Sequence, residues 1–439
     1  MSKKFTAADT LSFGFMLFAF FLGAGNIIFP PLAGMQSGPN LVPAMAGFLL
    51  TAVGLPLICM VAIARTGGGV SAMTRGLPTW VGVTIAATIF IVIGPAFAIP
   101  RTGLVAYEIG AVPFLGATSS MTQLVFTAAF FSLVALLALY PGKLMDIVGK
   151  ALTPTLMLLL AVLALSVLFA PEVAVPAAQG GWAEDALTTG FLEGYMTMDV
   201  LGAMMFGTLL LDILRRKGVT EPASQARQML LAGIIAATGL ACVYISLFYV
   251  GAASVEMAPD ASNGGAILAA YVHGMFGSFG VVMLAAVVVL ACLTTAVGLT
   301  TAFAEFFNEK ISLGYRNWVF ICVITCLLVA NVGLEQLIAI SIPVLFIIYP
   351  VTVAVVIFVF ARPFVAARTA TLSTMLISAL FTGVLSGLNV AGLAAPIVEA
   401  FHFLPLFDMH LAWILPVTIS LVIGLIYKRS ERGVAAENA

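Results

Sequence analysis

Near its N-terminus the chain reads Ala19-Phe20-Phe21-Leu22-Gly23-Ala24-Gly25-Asn26-Ile27-Ile28-Phe29-Pro30-Pro31, an apolar run carrying residues that a membrane helix avoids. Glycine costs about 1 kcal/mol against alanine in a helix interior, and proline about 3. The Asn26 side chain adds competition for backbone hydrogen bonds. In hydrocarbon, N–H and C=O groups freed by a break are tolerated only where protein or a watery cavity satisfies them. The chemistry open to such a break is binding of ions and zwitterions: freed carbonyls take cations, and half-helix N-termini take anions. The rival reading is a glycine face for close helix packing. GxxxG spacing is absent there, and Asn26 and the proline pair do nothing for packing.

Two more clusters have chemical potential. Asp199 follows Thr197 and Met198 and precedes Val200-Leu201-Gly202 inside another apolar stretch. A charge at the bilayer centre costs at least about 2.5–3.5 kcal/mol, so it should face a cavity. Either Asp199 caps a second half-helix by accepting its orphan N–H groups, or it contacts a substrate or a proton directly. Both readings imply a second break. Further on, Thr294 and Thr295 stand side by side after Ala291, with Thr300 and Thr301 beyond. Their hydroxyls suit the all-oxygen shell of a hard cation such as sodium, unless each bonds back to its own helix.

The elements that must position these residues follow from composition. The 439 residues are 62% hydrophobic and 8% charged, against about 25% charged in soluble domains. Apolar runs near 20 residues recur instead of ten-residue alternations, so the expectation is an all-α integral membrane protein. The spans fall at roughly 11–36 (broken), 41–64, 79–105, 121–140, 149–170, 190–214, 228–252, 274–304, 317–333, 336–360, 371–390 and 411–427. Charge supports twelve. With the N-terminus cytoplasmic, that side collects Lys3, Lys4, Arg65, Arg75, Lys143, Lys150, Arg215, Arg216, Lys217, Arg227, Lys310, Arg316, Arg362, Arg368, Lys428, Arg429 and Arg432. Arg101 is the exception, near the outer end of span 3 with Glu108, where both are expected to be solvated. The opposite loops hold Glu172, Glu184, Asp185, Glu256, Asp260, Glu335, Glu399 and Asp408, and no Lys or Arg. This is the asymmetry that orients membrane proteins, and it places both termini inside.

Several functions are excluded or unsupported. No basic cluster suggests nucleic acid, and no glycine loop is followed by GK[ST] for a nucleotide. The cysteines (Cys59, Cys242, Cys292, Cys322, Cys326) lie in apolar runs and read as small core residues. The histidines (His273, His402, His410) fall in outer loops, which argues against a membrane-embedded enzyme. A channel would need a charge ring or filter repeat, and none is seen. The tryptophans (Trp80, Trp182, Trp318, Trp413) fall near span edges, as an aromatic belt would. Residues 253–275 form either a lid, through Ala266–Tyr271, or an ordinary loop.

Spans 1 and 6 are five apart, and an odd-numbered repeat inserts upside down. Five spans over 11–170, their inverted copy over 190–360 and accessory helices over 371–427 would make one membrane domain across 1–439. Pro154 and Pro343, near the starts of spans 5 and 10, fit the repeat weakly. Inverted repeats with broken first helices describe secondary transporters that bind at the midplane.

The chain resembles the bacterial branched-chain amino acid:cation symporter family, the LIV-II carriers. The resemblance rests on Gly14–Pro31, TAVGLPL, GPAFAIPRT, LYPGKLMDIVG, GYMTMDVLGAMMFG, RRKGVTE, LACLTTAVGLT with AFAEFF, and ISIPVLFIIYP. It implies the leucine-transporter-type five-plus-five fold with two extra helices in the bacterial inner membrane. It also implies import of leucine, isoleucine and valine with sodium, lithium or protons; the runner-up is another small apolar or neutral amino acid. Carried over, Gly23, Ala24, Gly25 and Asn26 would bind the substrate carboxylate through N–H groups. Carbonyls of Phe21, Thr197, Met198 and Val200, beside Asp199 and Gly202, would face the ammonium. The cation would take carbonyls of Ala19, Leu22 and Ala291 and the hydroxyls of Thr294 and Thr295. Met204, Phe206 and Phe18 would line the side-chain pocket. The bundle of spans 1, 2, 6 and 7 would rock against 3, 4, 8 and 9. No protein partner is implied.

Overall fold

A computed structural model describes residues 6–115, 117–140, 153–169, 175–259, 261, 263–365 and 367–437. Lys3, Lys4, Lys143, Lys150, Glu172, Asp260 and most of LYPGKLMDIVG lie outside them, as do the side chains of Lys428, Arg429 and Arg432. The described elements are helical, apart from an isolated bridge between Arg75 and Leu77.

Among the described residues, seven helices are long and apolar enough to cross a membrane: Gly38–Thr66, Thr79–Phe114, Ser120–Ala138, Pro222–Ala253, Gly264–Lys310, Leu334–Phe364 and Arg368–Val390. Two bent pairs pass the same test together, Ala7–Phe21 with Ala24–Gln36 at 66° and Ala186–Thr197 with Asp199–Arg216 at 42°. Thr153–Phe169, Tyr315–Ala330 and Ile414–Tyr427 are shorter apolar helices.

The chain divides into two compact units, Met1–Val61 with Phe90–Ile338, and Ala62–Ile89 with Ala339–Ala439. The first holds every candidate site residue, on or between α1 (Ala7–Phe21), α2 (Ala24–Gln36), α3 (Ala98–Gly110), α4 (Ala186–Glu193), α5 (Asp199–Arg216), α6 (Pro222–Ala253) and α7 (Gly264–Lys310). Helix α1 starts where Thr6 and Asp9 cap each other, the Asp9 N–H donating to Thr6 Oγ1 at 3.1 Å and the Thr6 N–H to Asp9 Oδ2 at 3.0 Å. This is the reciprocal capping expected of Thr and a carboxylate three residues on. Helix α2 is wedged between backbones: a Cβ on Gly34 would strike the Phe248 carbonyl of α6, and one on Gly251 would strike Pro31 of α2. Small residues here bring main chains together, as membrane interfaces favour.

Within the second unit, Arg65 lies 4.8 Å from the centre of the Phe360 ring. The Thr369 hydroxyl donates to the Gly76 carbonyl at 3.0 Å. The segment after Val390 packs Val398, Phe407 and Ala412 against Leu385.

Several expectations are corrected. Residues 264–276 are not an ordinary loop but the first arm of α7, bent where Gly277 takes φ 59°; Ile267, Leu268, Tyr271 and Val272 are fully buried. His273 therefore sits on a helix. Trp182 and Trp413 are buried rather than belted, and Trp182 Nε1 donates to Gln36 Oε1 at 3.1 Å. Cys242 is exposed, unlike the other four cysteines. Span 3 is interrupted, with Gly94 at φ −73° and ψ −117° before Pro95. Pro95 lies inside the wide turn Val92–Ala96, and proline and such wide turns are ordinary causes of a helix kink, so the run bends ahead of α3.

Candidate functional site: two broken spans around one cavity

The first break is local chemistry. Leu22 leaves helical geometry at ψ 83° and Gly23 is extended, at φ −114° and ψ −161°. The Gly23 N–H donates to Asn26 Oδ1 at 3.0 Å, so the asparagine closes the turn that starts α2. The next N–H groups, of Ala24, Gly25 and Asn26, stand in the first turn of α2, where a helix offers them no partner. They form the positive end of a half-helix.

The second break follows α4, where Gly194–Thr197 winds into a tighter turn and Met198 takes the left-handed conformation at φ 64°. Left-handed geometry costs a non-glycine residue roughly 1–2 kcal/mol, so the surroundings must impose it. The Thr197 hydroxyl donates to Gly194 O at 2.8 Å. The Met198 carbonyl already accepts from the Gly202 N–H at 2.9 Å.

Asp199 joins the two breaks. Its Oδ2 accepts from Asn26 Nδ2 at 2.7 Å and from the Tyr244 hydroxyl at 2.7 Å, and Asn26 Nδ2 also reaches the Tyr244 oxygen. All three residues are buried. Its carboxylate thus ties α2, α5 and α6 together, whereas the capping reading had it accept N–H groups of its own helix. Such charge-assisted bonds are roughly twice as strong as neutral ones. Tyr244 escaped sequence reasoning because a single tyrosine in an apolar helix reads as core.

The cation candidates also converge. Thr294 Oγ1 donates to the carbonyls of Ala19 at 2.9 Å and Ala291 at 3.0 Å, and Thr295 Oγ1 lies 3.2 Å from the same Ala19 oxygen. Leu22 ends α1, its N–H donating to Phe18 O at 2.9 Å. The donor set is oxygen alone, which fits a hard cation better than a soft one. Among the described residues no group of His, Cys, Asp or Glu could hold a metal. The self-bonding reading of threonine holds for Thr301, which donates to Val297 O at 2.8 Å, and in part for Thr294, whose Ala291 acceptor lies three residues back in its own helix.

Between the breaks lies a cavity walled by Phe21, Gly23, Ala24, Gly25, Asn26, Thr197, Met198, Asp199, Gly202 and Thr295. Its free volume is about 20 Å³, room for about one water. Admitting any larger guest requires the cavity walls to move. Phe206 lines it, stacked 5.2 Å from Phe20 and edge-on to Phe21 at 5.5 Å. Val200 and Met204 are buried off the cavity, and Phe18 faces a different one, against Gly239.

Arg101 is the largest departure. It is not solvated: only 4% of it is exposed, and it forms part of the cavity wall. Its Nη1 donates to Met196 O at 2.9 Å, and its guanidinium carbon lies 5.5 Å from the Phe29 ring centre. A Cβ on Gly25 would stand 2.5 Å from Nη2, so this glycine makes room for the cation. Glu108, two turns on, is half-buried. The signal available in the sequence was that Arg101 alone broke the sidedness of the basic residues.

A helical membrane chain whose two interrupted spans meet at a small polar cavity defines the transporter class. Solved structures share the fold: MhsT in complex with L-phenylalanine (TM-score 0.52, 16% identity, covering 95% of this chain and 98% of that one), a Na+-coupled sialic acid symporter (0.60, 12%, 96% and 89%), and Mhp1, a nucleobase-cation-symport-1 family transporter (0.55, 14%, 96% and 93%). MhsT and Mhp1 have the leucine-transporter-type fold. The chain itself belongs to the family of branched-chain amino acid transport proteins, which it matches over residues 6–431. It is 45% identical over 422 residues to the branched-chain amino acid transport system 2 carrier protein of Pseudomonas aeruginosa, covering 96% of each chain. It is 39% identical over 430 residues to the branched-chain amino acid permease BrnQ of Escherichia coli, covering 98% of each. Family and relatives are permeases, not enzymes.

Proposed function

We propose that this protein is a secondary symporter that imports leucine, isoleucine and valine with sodium by alternating access. The observation that carries the reading is the junction itself: two broken spans tied by Asn26, Asp199 and Tyr244, with Thr294 and Thr295 on Ala19 beside them. A zwitterion suits that junction. Its carboxylate meets the N–H groups of Ala24, Gly25 and Asn26, and its ammonium meets Asp199 and the carbonyls of Phe21 and Thr197. Sodium takes the Ala19, Leu22 and Ala291 carbonyls and both hydroxyls, where lithium would also fit. It thereby fastens α1 to α7, orders the carboxylate site and makes amino acid binding more favourable; the coupling is reciprocal. An apolar pocket separates side chains one methylene apart by only about 1–3 kcal/mol, which favours acceptance of all three substrates.

The same reading takes the helical segments as twelve crossings of the bacterial inner membrane, both termini cytoplasmic, with repeats over 11–170 and 190–360. Support comes from the segregation of basic residues and from the fold neighbours. The test is uptake of labelled leucine into proteoliposomes, with sodium and proton gradients imposed separately and unlabelled amino acids as competitors. Accumulation driven by sodium and blocked by isoleucine and valine is expected. Uptake driven by the proton gradient alone overturns the ion assignment, and indifference to all three amino acids overturns the substrate assignment.

A further inference from the structure

A buried arginine on a cavity wall is expensive. Desolvation of one ion costs several kcal/mol after relaxation, and Arg101 is 4% exposed. Its setting adds to that cost. Arg101 closes the first turn of α3, its N–H donating to Phe97 O at 3.0 Å, so it stands at that helix's positive end. Its Nη2 lies over Gly25, in the first turn of α2, at a second positive end. Two helix N-termini and a guanidinium thus converge on one small cavity. Such convergence favours an anion, and cavity geometry places that anion next to the first break. Asp199 lines the same cavity and attracts the guanidinium, while its Oδ2 serves Asn26 and Tyr244.

We infer that Arg101 binds the carboxylate of the transported amino acid, exchanging the Met196 carbonyl for it when substrate enters. A guanidinium offers five N–H donors in a planar fork that matches a carboxylate, and the Nη1 of this one donates to the Met196 oxygen. The exchange has a mechanical result. It frees the turn before Met198 from α3, so arrival of a carboxylate loosens one of the contacts holding α3 to the second break. An apolar amine without a carboxylate makes no such exchange. Arg101 therefore selects amino acids over amines of the same side chain. This inference deepens the transport reading and rests on it.

The test compares Arg101→Gln and Arg101→Lys with wild type in proteoliposomes, using leucine uptake inhibited by unlabelled leucine and by 3-methylbutylamine, which is leucine without its carboxylate. The expected result in Arg101→Gln is a rise of about 10- to 100-fold in the leucine KM, the range set by one hydrogen-bonded charge, with the inhibition constant of the amine little changed. Arg101→Lys keeps charge but loses the fork, and about a tenfold rise is expected. A brace between helices would instead lower maximal rate or weaken leucine and amine alike. An unchanged leucine-to-amine preference in Arg101→Gln overturns the inference; if that variant is not recovered folded, a wild-type leucine KM in Arg101→Lys does so. Wild-type protein that takes up no leucine would fail the transport reading instead, a separate outcome.

Discussion

The two breaks reach the same end by opposite means. The first is written in residue types: Gly23 supplies the extended joint, and Asn26 closes it on itself. The second has no glycine at its joint. Met198 sits at φ 64°, buried, between a tight turn and a helix of ordinary composition. A local break stands on its own sequence, whereas an imposed one stands on its neighbours. The neighbours are Asn26 and Tyr244 on Asp199, and Arg101 on Met196. The second break thus depends on the first, which suits a site whose halves must move together.

Asp199→Ala removes the acceptor from Asn26 and Tyr244, bonds worth about 1.5–3 kcal/mol each when one partner is charged. Leucine uptake is expected to fall at least about 100-fold with protein still recovered in the membrane. Uptake near wild type would cut the dependence of one break on the other. Tyr244→Phe, which removes one bond of the set, is expected to cost about tenfold.

Gly25→Ala and Gly202→Ala sharpen the contrast in space. A Cβ at Gly25 meets Arg101 at 2.5 Å and the Met196 carbonyl at 3.1 Å, whereas one at Gly202 comes no closer than 3.4 Å, to Phe206. Overpacking costs about 1–3 kcal/mol, so about a tenfold loss of leucine affinity is expected at Gly25 and little at Gly202. Equal losses at both positions would contradict the close approach of Arg101. Replacing Thr294 and Thr295 together by Ala is expected to raise the sodium concentration for half-maximal uptake about five- to tenfold. An unchanged sodium dependence would remove the cation reading.

The smallest effect isolates the imposed backbone. Both Met198→Gly and Met198→Ala lose the buried side chain, but only glycine takes left-handed geometry freely. The glycine variant is expected to melt above the alanine variant by the equivalent of about 1 kcal/mol. The usual helix order, alanine above glycine, would mean that Met198 is not held at positive φ.

Much of the molecule was legible beforehand, for physical reasons. Hydrocarbon demands runs of apolar residues, so helices and their approximate limits follow from composition. Helix-breaking residues cost the same wherever they occur, so Gly23, Gly25 and Asn26 announced the first break. Asp199 announced the second because an isolated charge in such a run needs a reason. What that charge does was decided elsewhere: its partners lie on α2 and α6, far away in the chain. The same holds for Tyr244, for the burial of Trp182 and Trp413, and for the first arm of α7. Arg101 is the clearest case. Its type and position are consistent with a solvated residue near a helix end, and only the packing of α3 against the two breaks turns it inward. Local cost is a property of the residue and can be read one letter at a time. Burial and partnership depend on which helices pack together, so they belong to the tertiary structure.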